Sequence, residues 1–342
     1  MMVGDRMPGV RIAGLGYSTP LRCLSSAEIE ERIREAAGRL PVPSGTLRAI
    51  SGVHGRHVVG PDEYASTLAI SAGRSALADA GVDATDIDLL VFASTSQDQV
   101  EPATAHIVAD GLGIRGGSVF DVKNACNSFV DGIRVAEALV TTGAARRPLV
   151  VTGETPTLAA KYGVRSVREF RTAFLGYTVG DAGGAVVLES SDDQRGIFYR
   201  HSWAASEHWD VSGVPGGGSR HPRGDEFTYA EGDGARLREI VRSFDPDVVL
   251  RVYRETGTTP DDFRLFIVHQ VTVPFAEEMI ERLCFPSERV ERTIAEFGNV
   301  ASGTLPLALG RAREAGRVAR GDRVLFVGLG AGISVTTMAL TL

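Results

Sequence analysis

Cys126 is the residue of this sequence best placed to act as a nucleophile. Residues 119–122 predict a strand and residues 127–142 predict a helix, so the thiol stands at a helix start. The free N–H groups and the dipole of a helix N-terminus favour a thiolate, and we therefore expect a lowered pKa for Cys126. An inert buried cysteine is the competing interpretation, and it is the one we favour for Cys23 and Cys284.

His269 and Asn299 are two further candidates for chemistry. His269 ends the apolar run 265–268, where an imidazole can donate a hydrogen bond or carry a proton. A histidine at a strand end is more often structural than catalytic. Asn299 follows Gly298, and a Gly-Asn pair by itself predicts a turn. The case for both residues rests on their positions in an internal repeat.

The second half of the chain repeats the plan of the first. Segments 86–93 and 262–269 share one apolar pattern and lie 176 residues apart. Segments 147–153 and 322–328 share another and lie 175 residues apart. So long an offset indicates a duplicated domain rather than a solenoid.

Between these paired segments each half is expected to hold a short strand, a special residue and a helix. Cys126 is the special residue of the first half and Asn299 that of the second, at an offset of 173. We therefore divide the chain into residues 1–192, which carry the cysteine, and 193–342, which carry the histidine and the asparagine. Ligands of such sheets bind at the carboxyl ends of strands, where Cys126, His269 and Asn299 can converge.

Apolar runs alternate with helical patterns along the chain, which predicts an α/β fold with mainly parallel sheets. A Ser25–Glu28 capping box is expected to open a helix that continues to residue 37, and Gly81 to end the helix 67–80. The further expected strands of the first half are 10–15, 89–93, 148–152 and 182–188.

The composition excludes several classes of protein. Of the 342 residues 43% are hydrophobic and 23% charged, which allows a sizeable core. A net charge of −7 argues against a nucleic-acid partner, since such proteins show a basic surface. No run approaches ~18 apolar residues, and residues 1–18 hold no secretory apolar region. We therefore expect a soluble, cytoplasmic enzyme that does not enter a membrane.

Three other kinds of site are not supported by the sequence. The glycines of segment 328–332 suggest a dinucleotide loop, but only ten residues follow, and these predict a strand rather than a helix. The Gly-x-Ser-x-Gly elbow of a serine hydrolase does not occur. The pair His54 and His57 lacks supporting ligands, and three distant cysteines exclude a zinc cluster and a disulfide framework. We expect no metal site.

Over essentially its whole length the chain resembles the ketoacyl-acyl-carrier-protein synthase III family of the thiolase superfamily. Segment 121–132 resembles the nucleophile elbow of that family, and segment 268–270 its His-Gln motif. Segments 298–306 and 180–188 resemble its Gly-Asn segment and its Gly-Asp-Gly-Ala-Gly strand. Together and in this order the motifs are specific. The resemblance implies a thiolase-like fold of two duplicated α/β halves in an α-β-α-β-α arrangement.

The resemblance also implies an acyl-cysteine mechanism. A thioester of coenzyme A or of carrier-protein phosphopantetheine would transfer its acyl group to Cys126, while the amides of Cys126 and Ala331 hold the oxyanion. His269 and Asn299 would stabilise the enolate formed when a malonyl thioester loses carbon dioxide. The enolate would attack the acyl-cysteine and give a 3-oxoacyl product. No permanently bound cofactor is implied.

Several positions depart from the family pattern. Glu101 stands before Pro102, where relatives often carry a phenylalanine that reaches into the acyl pocket of the partner subunit. Val271 and Thr272 replace the usual Ala-Asn after the His-Gln motif. Segment 154–178 is longer than in housekeeping members, and it is either a solvated loop or an altered roof of the acyl tunnel. The acyl-pocket candidates are Glu101, Phe170 and Phe174. These departures favour a specialised member of polyketide or other secondary metabolism.

Other functions remain open at this point. The first is acyl transfer from Cys126 to a small alcohol or amine acceptor without decarboxylation. The second is a non-catalytic partner subunit of an active homologue. Thiolase or hydroxymethylglutaryl synthase chemistry would need a second cysteine or a glutamate base, for which Cys284 and Glu101 are weak candidates. The family resemblance implies a homodimer in which segment 117–122 pairs across the two-fold axis.

Overall fold

The computed structural model of the chain describes residues 9–38, 42–191 and 196–342. The predicted boundary between residues 192 and 193 lies outside the described residues, as do residues 1–8 of the first segment. The strands are β1 (Gly9–Ser18), β2 (Cys23–Ser25), β3 (Gly55–His57), β4 (Leu89–Ala93), β5 (Ser118–Val122), β6 (Pro148–Glu154), β7 (Ala182–Ser191), β8 (Ile197–Ala204), β9 (Ser212–Gly213), β10 (Glu231–Gly232), β11 (Leu265–Val268), β12 (Arg323–Gly330) and β13 (Ser334–Thr341). The helices are α1 (Ser26–Ala37), α2 (Thr46–Ser51), α3 (Ala65–Ala80), α4 (Thr104–Leu112), α5 (Ser128–Thr141), α6 (Val167–Ala173), α7 (Gly234–Ser243), α8 (Asp247–Thr256), α9 (Val273–Arg282), α10 (Ile294–Phe297) and α11 (Thr304–Glu314).

Local sequence signals set several of these boundaries. At the start of α1 the Glu28 N–H donates to Ser25 Oγ over 3.2 Å, and the Ser25 N–H donates to the Glu28 carboxylate over 2.7 Å. This is the predicted capping box, which satisfies two N–H groups that the helix leaves unpaired. Helix α3 ends at Gly81, whose φ of +65° is open to glycine without strain.

The first large sheet has the strand order β1-β7-β6-β4-β5. Strand β4 pairs in parallel with both β5 and β6, while β7 runs antiparallel to β1 and β6. Four of the five strands run in one direction, but β7 is reversed, so two of the four pairings are antiparallel and the sheet is mixed rather than mainly parallel. All five residues of β4 are buried, as a strand covered on both faces requires.

The second large sheet repeats this order as β8-β13-β12-β11 and lacks a counterpart of β5. The short strand predicted before Asn299 is wrong, because the structure has only a parallel bridge between Phe266 and Val290 there. A 3-10 turn, Ser287–Arg289, leads into the bridge, and Thr293 beyond it donates its N–H to the side chain of Gln270. The backbone therefore pairs with the sheet only at Val290 and leaves it within a few residues before and after that bridge.

Two helices lie between the two sheets. Buried residues of α5 and α11 form one cluster with residues of β1, β4, β6 and β7 and with residues of β8, β11, β12 and β13. Helices α3 and α4 pack on the outer face of the first sheet, and α7, α8 and α9 on the outer face of the second. The predicted α-β-α-β-α layering is confirmed, and the helix that follows Cys126 belongs to its central layer. In the described ranges no helix is long and apolar enough to span a membrane.

Candidate active site

Cys126 lies in a sharp turn between β5 and α5. Ala125, the residue before it, has a φ of +47°, which a residue with a side chain adopts only under strain. The hydroxyl of Ser128 donates to the carbonyl of Ala125 over 2.6 Å and accepts the N–H of Asn124 over 2.8 Å. The first turn of α5 thus holds the strained residue and places the half-buried Cys126 at the mouth of the helix.

Burial raises the pKa of the Cys126 thiol to about 12, and the negative charge of Glu154 acts in the same direction. Hydrogen bonds from the backbone amides of Cys126 and Ala331 lower the pKa by less. The predicted lowering of this pKa is therefore wrong, because the cost of removing a thiolate from water outweighs the favourable helix N-terminus. Cys126 is a neutral thiol at physiological pH in this structure.

The connection from β12 to β13 forms the other wall around the sulfur. Ala331 lies in this turn, and the Asn127 side chain donates to the carbonyl of Ser334 over 3.1 Å and to its hydroxyl over 2.8 Å. A Cβ at Gly328 would stand 2.1 Å from the Asn127 side-chain oxygen, so glycine is required there. Gly328 and Gly330 serve close packing, and Gly332 has a φ of +79°, which suits glycine. Strand β13 follows them in place of the helix that a dinucleotide loop needs.

His269 directly follows β11 and is only 2% exposed. Burial lowers the pKa of its imidazole to about 4, so the ring is neutral at physiological pH. Its Nδ1 atom is buried and has no hydrogen-bond partner among the residues that the structure describes. The neighbouring Gln270 fixes the segment, because its side chain donates to the Glu291 carbonyl over 2.8 Å. A neutral ring with an unpaired nitrogen can still exchange a proton with a ligand.

Asn299 lies just before α11, and hydrogen bonds of its backbone hold it in place. Its N–H donates to the carbonyl of Thr178 over 2.9 Å, and its own carbonyl accepts the N–H of Gly180 over 3.0 Å. The side-chain Oδ1 accepts the N–H of Ala301 over 2.9 Å. With Oδ1 engaged in this way, the Nδ2 group is the part of the carboxamide that remains to donate to a ligand.

The register between the two halves differs from the one predicted. Ala125 and Ala301 both have a φ of +47°, and α5 and α11 begin at Ser128 and Thr304, 176 residues apart in each case. The Thr304 hydroxyl donates to the Ala301 carbonyl as that of Ser128 does to Ala125. At this offset Ser302 corresponds to Cys126. Asn299 lies three residues upstream of the equivalent position, so the pairing at 173 is wrong.

The structure places the predicted residues before the two central helices and at one edge of the second sheet. The amide of Ala331 reaches the Cys126 sulfur. His269 lies at the same carboxyl edge of the second sheet, since β11 and β12 are parallel neighbours and the His269 N–H donates to the carbonyl of Val327 in β12. Asn299 precedes α11 in the central layer, just as Cys126 precedes α5. Their catalytic roles stay predictions.

The acyl-pocket candidates do not lie together. Phe170 and Phe174 line a cavity of about 1490 Å³ between α6, α7 and the start of α9. Cys126, His269, Asn299 and Glu101 do not line this cavity. Two of its lining residues are close to the site in the fold: Val271 follows the His-Gln motif, and Val211 belongs to the same apolar cluster as Ile333, two residues beyond Ala331. Their roles as acyl-pocket residues stay predictions.

Several other predictions concern residues near the surface. Cys23 and Cys284 are exposed, so their interpretation as core residues is wrong. Cys23 lies opposite His57 in the small sheet of β2 and β3, and Cys284 follows α9 with a φ of +51°. Among the described residues no group of three or more histidine, cysteine or acidic side chains could hold a metal ion.

Two residues of the region escaped the sequence analysis. Glu154, at the end of β6, is completely buried, and so is Ser302. The 176-residue offset of the strands, applied strictly to Cys126, points to Ser302. Glu154 gives no such signal, because neither its burial nor its effect on Cys126 can be read from local sequence.

The fold and the comparisons define the protein as an acyltransferase of the condensing type with a thiolase-like fold. OleA from Xanthomonas campestris, in a cysteine-to-serine variant with bound lauric acid and lauroyl-CoA, superposes with a TM-score of 0.87 at 27% identity, covering 98% of this chain and 100% of that one. A 3-oxoacyl-[acyl-carrier-protein] synthase III from Aquifex aeolicus gives 0.83 at 26%, covering 98% and 100%.

The chain belongs to the 3-oxoacyl-[acyl-carrier-protein] synthase III family. Residues 120–205 match the family's synthase III domain, and residues 253–342 match its C-terminal domain. A beta-ketoacyl-[acyl-carrier-protein] synthase III of a Roseiflexus species is 34% identical over 333 residues, which cover 94% of this chain and 95% of the relative. The resemblance drawn from the motifs is thereby confirmed.

Proposed function

We propose that the protein forms an acyl-Cys126 intermediate from an acyl thioester and condenses it with a malonyl thioester to a 3-oxoacyl product. The observation that carries this proposal is that the backbone amides of Cys126 and Ala331 both lie near enough to the Cys126 sulfur to lower its pKa. Two donors at that point suit the negative oxygen of a tetrahedral intermediate as well as the thiolate.

Acyl transfer to Cys126 begins from a neutral thiol, because burial holds its pKa near 12. A base must therefore take the thiol proton as the sulfur attacks the thioester carbonyl. The neutral imidazole of His269 is the base that we assign, since its pKa near 4 leaves a nitrogen free to accept. The resulting imidazolium then returns the proton to the departing thiolate of the donor.

Condensation follows at the same sulfur. The malonyl thioester loses carbon dioxide, and the electron pair of the broken C–C bond forms an enolate. His269 and the Nδ2 group of Asn299 donate hydrogen bonds to the enolate oxygen. The enolate carbon attacks the acyl-cysteine carbonyl, and Cys126 leaves as a thiolate that takes up one proton. Losing one such donor typically costs ~10²–10³ in rate.

The large cavity beside the site supports coenzyme A or carrier-protein phosphopantetheine as the carrier of the acyl group. Arg168, Arg171, Arg220 and Arg238 line it together with apolar side chains. Guanidinium groups bind phosphate through paired hydrogen bonds, and the apolar wall suits the pantetheine arm. The lauroyl-CoA bound by OleA supports an acyl-CoA donor within this fold.

We further propose a specialised biosynthetic role and a homodimer. Val271 and Thr272, which replace the family's usual pair, both line the cavity, so this chain differs where the substrate passes. Strand β5 is an edge of its sheet with partly exposed residues, which suits pairing with the same strand of a second copy. A cytoplasmic location stays a prediction.

Intact-mass measurement after incubation with a panel of acyl-CoA donors tests the first step. We expect a mass gain of one acyl group that disappears in Cys126→Ala and persists in Cys23→Ala, which removes an exposed thiol. If no donor gives an adduct, the proposal fails and a non-catalytic partner subunit becomes the better interpretation.

Release of carbon dioxide from a malonyl thioester tests the second step. We expect release that depends on prior acylation and a product whose mass includes two additional carbons. If an alcohol or amine gains the acyl mass and no carbon dioxide appears, condensation is rejected in favour of plain acyl transfer. Light scattering at several concentrations tests the dimer separately.

A further inference from the structure

The buried carboxylate of Glu154 is hydrogen-bonded at the start of α11. The Ser302 hydroxyl, at the position that Cys126 has in the first half, donates to the carboxylate of Glu154. Glu154 ends β6, and its counterpart at the 176-residue offset, at the end of β12, is Gly330. The two halves therefore differ here: one carries a charged side chain and the other carries no side chain.

Glu154 is held by neutral donors alone in the part of the chain that the structure describes. The N–H groups of Thr95 and Ser96 donate to it over 2.8 and 3.2 Å, and the Ser96 hydroxyl over 3.0 Å. The hydroxyls of Thr95 and Thr152 also donate to it. A fully buried carboxylate without a cation costs folding free energy, which indicates a role other than stability.

The contacts of Glu154 lead to Asn299 in two steps. Ser302, bound to Glu154, is also within 2.7 Å of the Thr152 hydroxyl, and it directly follows Ala301. Ala301 is in a strained left-handed conformation, and its N–H holds the Oδ1 atom of Asn299 over 2.9 Å. The strained residue keeps its place only because its neighbours are fixed, and Ser302 is the neighbour on the helix side.

We propose that Glu154 is a positioning residue that acts through Ser302 to orient the Asn299 carboxamide, so that Nδ2 faces the reacting thioester. This inference rests on the proposed function, in which Nδ2 stabilises the enolate. The bond from Ser302 fixes the peptide of Ala301, that peptide fixes Oδ1, and the amide plane then fixes Nδ2. A small rotation at Ala301 would turn the donor away from the enolate oxygen.

The charge of Glu154 supplies a second, separable readout. It raises the pKa of the Cys126 thiol, so the same carboxylate acts on both special residues. Ser302→Ala removes the bond and leaves the charge. Glu154→Gln removes the charge and weakens the bond. The two variants therefore separate positioning from electrostatics.

The test compares acylation with decarboxylation in these variants. In Ser302→Ala we expect carbon dioxide release to fall about 10- to 100-fold, while the rate of Cys126 acylation and the pH dependence of its alkylation by iodoacetamide stay unchanged. In Glu154→Gln we expect a similar fall, together with alkylation that rises at lower pH. The matched control is Ser94→Ala, which removes another buried serine hydroxyl, bonded to the Gly153 carbonyl over 2.7 Å.

Carbon dioxide release in Ser302→Ala that falls no more than in Ser94→Ala would overturn the proposal, as would acylation and decarboxylation that fall together. If Glu154→Gln does not fold, Ser302→Ala decides alone. If the unmodified protein releases no carbon dioxide, it is the proposed function that has failed. A crystal structure of Ser302→Ala then decides the inference: a changed Asn299 rotamer supports it, and an unchanged one rejects it.

Discussion

The N-terminal ends of α5 and α11, called the helix mouths here, share one backbone conformation but differ in their side chains. Each has an alanine at a φ of +47° and a hydroxyl residue that caps its carbonyl. At α5 the next residue is a half-buried cysteine, whereas at α11 it is a serine that is completely buried against Glu154. His269, which follows β11, corresponds at an offset of 176 to Ala93. The two helix mouths thus share their backbone geometry, and the side chains at each mouth determine which of them can react.

We expect the largest change in rate when the residue at the α5 mouth is replaced by the one found at the α11 mouth. Cys126→Ser places at α5 the residue type that α11 already has, and we expect acyl-enzyme formation to fall by at least about 10³-fold, since a serine hydroxyl is a far weaker nucleophile than a thiol. Stopped-time intact-mass measurement gives the rate.

Placing a cysteine at the α11 mouth tests the same difference from the other side. Ser302→Cys should gain no acylation in the Cys126→Ser background, because the α11 mouth is sealed and has alanine in place of the imidazole. An adduct on residue 302 would show that the α11 mouth is open to substrate and that sealing is not what separates the two mouths.

The next largest effect concerns the donors found only at the reactive mouth. We expect His269→Ala and Asn299→Ala each to lower carbon dioxide release by about 10²–10³-fold, because each removes one donor to the enolate. His269→Ala should also slow acylation, and Asn299→Ala should not. His54→Ala, which removes an exposed histidine, serves as the control. Equal loss of both steps in Asn299→Ala would contradict its assignment to the enolate.

A smaller effect is expected in acid. The folded pKa of His269 is about 4 against an ordinary 6.5, so the unfolded chain binds this proton more readily. Stability is therefore lost as the pH falls through this window, by roughly 3 kcal/mol near pH 4. His269→Gln should flatten the decline in the free energy of unfolding between pH 6.5 and 4. Asp181, whose pKa burial raises to about 6, acts oppositely in an overlapping range, so only the difference between the two proteins is diagnostic.

The smallest effect tests the shared backbone. Ala125→Gly and Ala301→Gly both remove the strain of a left-handed alanine, which stabilises the fold. Both also raise the conformational entropy of the unfolded chain, which destabilises it. We therefore expect each to change the free energy of unfolding by no more than about 1 kcal/mol. Their kinetic effects should differ: the first should alter acylation and the second decarboxylation. Denaturant titration and the two rate measurements check this, and identical kinetic effects would show that the mouths are not independent.

The sequence was sufficient for the family and for most of the predicted elements, the short strand before Asn299 excepted. The capping box at Ser25 and the glycine after α3 are local signals, and the structure confirms both helix boundaries. The apolar runs of β4 and β11 gave the sheets, because strands covered on both faces leave a continuous pattern. Family motifs then placed Cys126, His269 and Asn299 without any knowledge of their contacts.

What could not be predicted depends on contacts between distant residues. The pKa of Cys126 follows from burial and from Glu154, which are visible only after the strands are assembled. The register that pairs Cys126 with Ser302 needed the two alanine conformations. Phe170 and Phe174 carry an apolar pattern that suits an acyl pocket, but only the packing of α6 shows that they face a wide, arginine-lined cavity.

The central layer has a consequence for how the chain can be divided. Helices α5 and α11 each lie against both sheets, in one continuous apolar cluster. A fragment that ends after β7 would leave one face of α5 bare, and the remaining fragment would do the same to α11. We therefore expect that neither half folds as an autonomous module, although the two share one strand order.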